Sequence, residues 1–204
     1  MFLLLCNWHR AIRIRRAIEL IYGSNGNDTI TLGTKAQYGI MNFGAGEDRL
    51  ILAKGNNYVS VANIEYIMGN KGNDTIVTHA TNTSDMTING GLGNDILTGG
   101  NKSNTYVFSS KLNAKTNVDT ITNFTSSNDT INLDKLIFKA VANGFSSDNL
   151  VIGTQASDND DYFIYNPTTN ILSYDVDGNG SKKSVDFIIL QGVDTLSATD
   201  FQLI

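Results

Sequence analysis

Four stretches of the chain carry one nine-residue phrase. They are Gly23-Ser24-Asn25-Gly26-Asn27-Asp28-Thr29-Ile30-Thr31, Phe43-Gly44-Ala45-Gly46-Glu47-Asp48-Arg49-Leu50-Ile51, Gly69-Asn70-Lys71-Gly72-Asn73-Asp74-Thr75-Ile76-Val77 and Gly90-Gly91-Leu92-Gly93-Asn94-Asp95-Ile96-Leu97-Thr98. Each fits G-G-x-G-x-D-x-U-x, with U apolar. Six residues rich in Gly and Asn close a tight turn, because both residue types tolerate positive φ. Such a turn points carbonyls to its concave side, and the aspartate in sixth place adds a carboxylate. Hard oxygens in a flexible set of about six to eight suit Ca²⁺, whereas zinc or copper would call for His or Cys. The candidate metal ligands are therefore Gly26, Asn27 and Asp28; Gly44, Gly46, Glu47 and Asp48; Gly72, Asn73 and Asp74; and Gly91, Gly93, Asn94 and Asp95. A fifth copy, Gly99 to Val107, is degenerate: Lys102 stands in the fourth, glycine place and Asn104 in the aspartate place.

A second oxygen-rich loop runs Asp175-Val176-Asp177-Gly178-Asn179-Gly180. Counted from Asp175, the residues Asp175, Asp177, Asn179 and Asp186 take places 1, 3, 5 and 12 of an EF-hand ligand pattern, with Gly180 sixth. The flanking helices of an EF-hand are missing, and the twelfth ligand is Asp rather than the longer Glu. A further calcium site and an acidic, Gly-rich hairpin loop both fit these residues.

The elements that would hold these turns follow from the residues after each aspartate. Thr29-Ile30-Thr31 and Thr75-Ile76-Val77 alternate polar and apolar, the pattern of a short strand with one side chain in a core. Turn plus strand is half a coil of a β-roll. The four aspartates are separated by 20, 26 and 21 residues. Read as one full coil plus an insertion each, these intervals predict four turns stacked on one edge with three calcium ions between them. Irregular loops around 35–39, 54–58 and 81–85 would then form the opposite edge, joined there by Asn104.

After Phe108 the phrases stop but alternation continues. Val118 to Phe124 and Asp129 to Leu133 read as strands, Tyr162 to Tyr165 and Ile171 to Tyr174 as a hairpin across the turn Asn166 to Asn170, and Val185 to Leu190 as a third strand. The expected fold class is all-β: a parallel β-roll over 22–108, then an antiparallel β capping region over 109–204 that covers the roll's open end.

Composition agrees and excludes. Gly, Asp, Asn and Thr supply 81 of 204 residues, so a Leu-rich helical bundle is ruled out. No apolar run approaches the length of a membrane span. One cysteine, Cys6, allows no internal disulfide, and a net charge of −5 is wrong for a nucleic-acid partner. With only His9 and His79, no H-E-x-x-H and no G-x-S-x-G, the chain reads as non-catalytic by itself. The glycosylation sequons at Asn27, Asn73 and Asn128 are by-products of the phrase.

Residues 1–21 differ from the rest, holding four of the five arginines and the single Trp8. The apolar run Phe2 to Leu5 precedes the arginines, the reverse of a secretory signal. A remnant of an upstream region is the favoured reading; a basic amphipathic helix with Trp8, Ile12 and Ile18 on one face is the other.

From Gly23 onward the phrases resemble the RTX, or hemolysin-type calcium-binding, repeat. The segment from Asp161 to Ile204 resembles the C-terminal region of RTX proteins of the serralysin type. The resemblance implies a secreted module, extracellular or at the cell surface, and monomeric, whose cofactor is Ca²⁺. It also implies an uncleaved signal for the type I secretion apparatus at Asp200-Phe201-Gln202-Leu203-Ile204. Two alternatives are a repeat or extender fragment of a cell-surface adhesin, and the C-terminal part of a secreted protease or lipase whose catalytic domain lies elsewhere. Phe43, Ser24 and Asn70 depart from the family phrase at its glycine places.

Overall fold

The computed structural model of the chain describes residues 2–4, 11–14, 20–37 and 39–204. Strands alternate along it between two sheets. In chain order they are β1 (Phe2–Leu4), β2 (Ala11–Ile14), β3 (Leu20–Tyr22), β4 (Thr29–Leu32), β5 (Gly39–Asn42), β6 (Arg49–Ile51) and β7 (Tyr58–Ala62). Then follow β8 (Tyr66–Met68), β9 (Thr75–Thr78), β10 (Met86–Asn89), β11 (Ile96–Thr98), β12 (Asn104–Phe108), β13 (Asp119–Ile121) and β14 (Thr130–Leu133). The last five are β15 (Leu150–Ile152), β16 (Phe163–Asn166), β17 (Ile171–Tyr174), β18 (Val185–Leu190) and β19 (Phe201–Leu203). Helical structure among the described residues is limited to three 3₁₀ turns of three residues each.

Odd-numbered strands β1 to β13 lie in one sheet and even-numbered strands β2 to β14 in the other, all parallel. The chain is therefore a parallel β-roll, each coil one strand per sheet and two turns. Its core is a double file of apolar side chains set by register. In the even sheet, Ile30, Leu50, Ile67, Ile88, Tyr106, Ile131 and Phe201 pair in sequence and are all buried. In the odd sheet, Val59, Ile76, Leu97, Ile121 and Leu190 do the same. Each phrase's apolar U residue is one member of these files. Trimming one, as in Ile76→Val, is expected to cost about 0.5–1.5 kcal/mol of unfolding free energy in denaturant titration.

Neither sheet breaks at residue 108. Strands β13 and β14 add a further coil, and β18 and β19 then pair in parallel with them. Between strands of the described residues, antiparallel pairing is confined to β16–β17 and β17–β18, the hairpin and third strand, with Asn170 at positive φ in the turn. An aromatic cluster fastens this region to the roll: Phe163 meets Phe138, Tyr174, Phe187 and Phe201 with ring centroids 5.2–6.2 Å apart. Near the amino terminus, 2–4 and 11–14 are strands pairing with β3 and β4, so residues 11–14 are not helical. Trp8 and Ile18, the other members of the expected helix face, lie outside the described residues.

Candidate metal centre

The four phrase turns do not share an edge. Asp28 and Asp48 precede β4 and β6 of the even sheet, whereas Asp74 and Asp95 precede β9 and β11 of the odd sheet. The expected single stack with three sandwiched ions is thereby corrected to one stacked pair on each edge. The reason is the interval of 26 residues, which is not a coil with an insertion. From Asp48 the chain passes Asn57 and Glu65 before Asp74, in half-coils of nine, eight and nine residues, and an odd number of half-coils changes sides. The loops at 35–37 and 54–57 lie on the edge of Asp74 and Asp95, and the loop at 81–85 lies on the edge of Asp28 and Asp48.

Within each edge a ladder links successive coils. Asp28 N–H donates to Asp48 Oδ1 at 2.7 Å, and Asp48 N–H to Glu65 Oε2 at 2.7 Å. On the other edge Ala36 N–H donates to Asn57 Oδ1, Asn57 N–H to Asp74 Oδ1, Asp74 N–H to Asp95 Oδ1 and Asp95 N–H to Asp119 Oδ1, at 2.7–3.0 Å. A similar bond runs from Asn104 N–H to Asp129 Oδ1. One oxygen of each acid thus serves the backbone of the coil before it. Asn57, Glu65, Asp119 and Asp129 were not among the sequence candidates. Their signals were there, since Gly55-Asn56-Asn57-Tyr58-Val59 is a phrase with Asn in the aspartate place, and Asn128-Asp129-Thr130-Ile131 repeats Asn27-Asp28-Thr29-Ile30.

The second oxygens are different. Asp48 Oδ2, Asp74 Oδ2 and Asp95 Oδ2 are buried and accept no hydrogen bond. Asp74 Oδ2 and Asp95 Oδ2 face the glycine that opens their own turn: a Cβ at Gly69 or Gly90 would fall 2.8 or 2.3 Å from the oxygen. The turns also stack too closely for side chains, for Gly93, at φ 142°, would place a Cβ 2.1 Å from Gly72 O. Burial pushes Asp48 up to about 6, Asp74 to about 7 and Asp95 to about 6. Asp119 is raised well above the usual range, first by burial and then by the negative charge of Asp95. An unpaired, buried carboxylate oxygen is costly unless it is protonated or meets a cation. Among the described residues no three His, Cys, Asp or Glu side chains converge. The other donors to an ion would have to be carbonyl and amide oxygens of the same turns, which is the hard, mostly neutral set that Ca²⁺ accepts.

The C-terminal loop converges less. Asp175 is buried and raised by that burial, and its Oδ1 accepts from Asp177 N–H. Asp177 Oδ1 is buried without a partner. Asn179 is tied to the neighbouring loop, its N–H donating to Asp158 O and its Nδ2 to Ser157 O. Asp186 lies on β18 opposite Ser173, whose Oγ donates to its Oδ1 at 2.6 Å.

No family model and no curated protein matches the chain. Among solved structures it is similar to the crystal structure of the extracellular lipase LipA from Serratia marcescens, at 16% identity and TM-score 0.38. That likeness covers 96% of this chain and 42% of the lipase, so the chain spans less than half of the lipase's length. It is also similar to the solution structure of a subunit of the mannuronan C5-epimerase of Azotobacter vinelandii, at 20% identity and TM-score 0.36, over 91% of this chain and 78% of that one. No helix among the described residues is long and apolar enough to cross a membrane.

Proposed function

We propose that the chain is a calcium-binding module that folds on taking up the ion after export, and that it is not itself a catalyst. The observation that carries this reading is the set of three buried carboxylate oxygens, on Asp48, Asp74 and Asp95, left without hydrogen-bond partners inside Gly- and Asn-rich turns. Asp28 with Asp48 would hold an ion on one edge, and Asp74 with Asp95 on the other. The bound ion would supply the positive charge that lets these carboxylates stay ionised while buried. Without it, carboxylates stacked one coil apart repel one another, and a chain this polar buries too little apolar surface to offset its ordering entropy. Extracellular modules bind Ca²⁺ with Kd on the order of 10⁻⁴–10⁻³ M. The chain would then remain unfolded in a low-calcium cytosol and fold outside the cell.

This order of events suits an export signal at the C-terminus. In the fold, Asp200 is wholly buried and its carboxylate accepts from Ser126 Oγ, Ser127 N–H and Ser197 N–H, while Phe201–Leu203 is strand β19. A type I secretion apparatus could read these residues only before the chain folds.

The test is a Ca²⁺ titration of the chelated chain followed by far-UV circular dichroism, with Mg²⁺ as control. The expected result is a cooperative coil-to-β transition with Ca²⁺ alone. Full β-structure in excess chelator would overturn the reading.

A further inference from the structure

We propose that the roll edge carrying Asp74 and Asp95 is a binding surface for a linear acidic polysaccharide, with about one carboxylated sugar per coil. Five of the ten lysines stand on this edge: Lys35, Lys54 and Lys71 on three successive turns, none on the 90–95 turn of Asp95, and Lys111 and Lys115 together on the turn after it. All five are exposed, and none forms an ion pair among the described residues. Backbone bonds put their turns in one column, since Gly55 N–H donates to Lys71 O, Lys71 bridges to Leu92, and Asn94 Nδ2 donates to Lys115 O. The stem of Lys35 lies across Gly55 of the next coil, where a Cβ would collide with it.

Every carboxylate of these turns is turned inward: Asp74, Asp95 and Asp119 are at most 5% exposed. The outward charge of these turns is thus lysine alone. Their amides are ordered, for Asn73 N–H donates to Asn56 Oδ1, Asn94 N–H to Asn73 Oδ1 and Val118 N–H to Asn94 Oδ1. A groove of about 410 Å³ opens on the same edge between Gly72, Leu92, Gly93, Lys111 and Thr116. The opposite edge is mixed in sign, with Glu47 and Asp85 exposed beside Arg49 and Lys102. The surface goes beyond the calcium reading and does not depend on it.

The geometry selects the occupant. Coils repeat about every 4.8 Å, a rise close to that of one sugar in an extended uronate chain and longer than the roughly 3.4 Å per phosphate along one strand of a duplex. These turns carry aromatic residues only where the first two end, at Tyr38 and Tyr58, and not the continuous file on which successive bases would stack. Among the described residues, Tyr58 and Leu92 are their exposed large apolar side chains, too little for a membrane or for the buried centre of a protein interface.

The experiment is titration of the folded chain with oligogalacturonates of increasing length, by calorimetry at fixed salt, with methyl-esterified oligomers as the neutral control. Affinity is expected to rise with length until about five sugars span the column, and esterified oligomers are expected not to bind. Lys54→Glu, Lys71→Glu and Lys111→Glu should each weaken binding about two- to five-fold, and together abolish it. Lys102→Glu, on the other edge, should change nothing. The matching Lys→Gln variants, with an unchanged circular dichroism spectrum, separate lost charge from lost fold. Binding that survives the triple reversal, that weakens equally with Lys102→Glu, or that is matched by single-stranded DNA or by anionic phospholipid vesicles would overturn the proposal.

Discussion

Stripped of divalent cations, the folded chain is expected to gain stability as the pH falls from about 8 to about 5, against the usual trend for a protein with ordinary carboxylates. Burial holds Asp48 at about 6, Asp74 at about 7 and Asp95 at about 6, where an unfolded aspartate titrates near 3.8. A carboxyl that keeps its proton more tightly in the folded state weakens the fold as pH climbs from the unfolded value through the folded one. The loss therefore accumulates between about pH 4 and about pH 7, and is complete above. Asp74 would account for roughly 2–4 kcal/mol of it, and Asp48 and Asp95 for roughly 1–3 kcal/mol each. A cation at the same oxygens does what the proton does, at neutral pH. Thermal melts across this range, taken in sucrose so that the stripped chain populates its fold, should consequently shift strongly with pH in the stripped chain and little at millimolar calcium. A stripped chain whose melting temperature falls on acidification would mean that the second oxygens are solvated, and that the turns need no ion.

The same oxygens show how far the sequence could be read. The apolar files and the C-terminal hairpin were legible because their signals are local: Ile30, Leu50, Ile76 and Leu97 each follow an aspartate by two residues and all four are buried. Which edge a turn occupies is not local. A coil measures 17 residues from Asp48 to Glu65 but 24 from Asp95 to Asp119, so counting residues does not assign a side. What fixes the side is the ladder bond from one coil's N–H to the next coil's side-chain oxygen, and Asn57, Glu65 and Asp74 all supply that oxygen. Because amide and carboxylate are interchangeable as acceptors, Asn57 holds one rung without looking like a metal ligand, and Glu65, Asp119 and Asp129 hold theirs outside the four phrases. Nor does spacing show that Asp186, twelfth from Asp175, has one oxygen engaged by Ser173 Oγ across the sheet.

An isosteric pair of variants separates carboxylates that accept hydrogen bonds from carboxylates with an oxygen to spare. Asp95→Asn keeps an oxygen for the N–H of Asp74, now 2.7 Å from Asp95 Oδ1, and removes a buried charge that faces Asp119. The stripped variant should be more stable than the stripped parent by roughly 1–3 kcal/mol at neutral pH, and should gain less from calcium. Asp200→Asn works against a full set of donors. Ser126 Oγ donates to both of its oxygens, Ser127 N–H to Oδ1 and Ser197 N–H to Oδ2, so an amide nitrogen on either side meets an N–H and strands it. That variant should lose roughly 1–3 kcal/mol, or more because the acceptor is charged, with or without calcium. Denaturant unfolding of both variants at two calcium levels, in sucrose so that the stripped chain populates its fold, gives four stabilities, and the reading requires opposite signs in chelator. If Asp95→Asn destabilises the stripped chain as Asp200→Asn does, the ladder is a hydrogen-bonding device alone, and the ion has no carboxylate waiting for it on that edge.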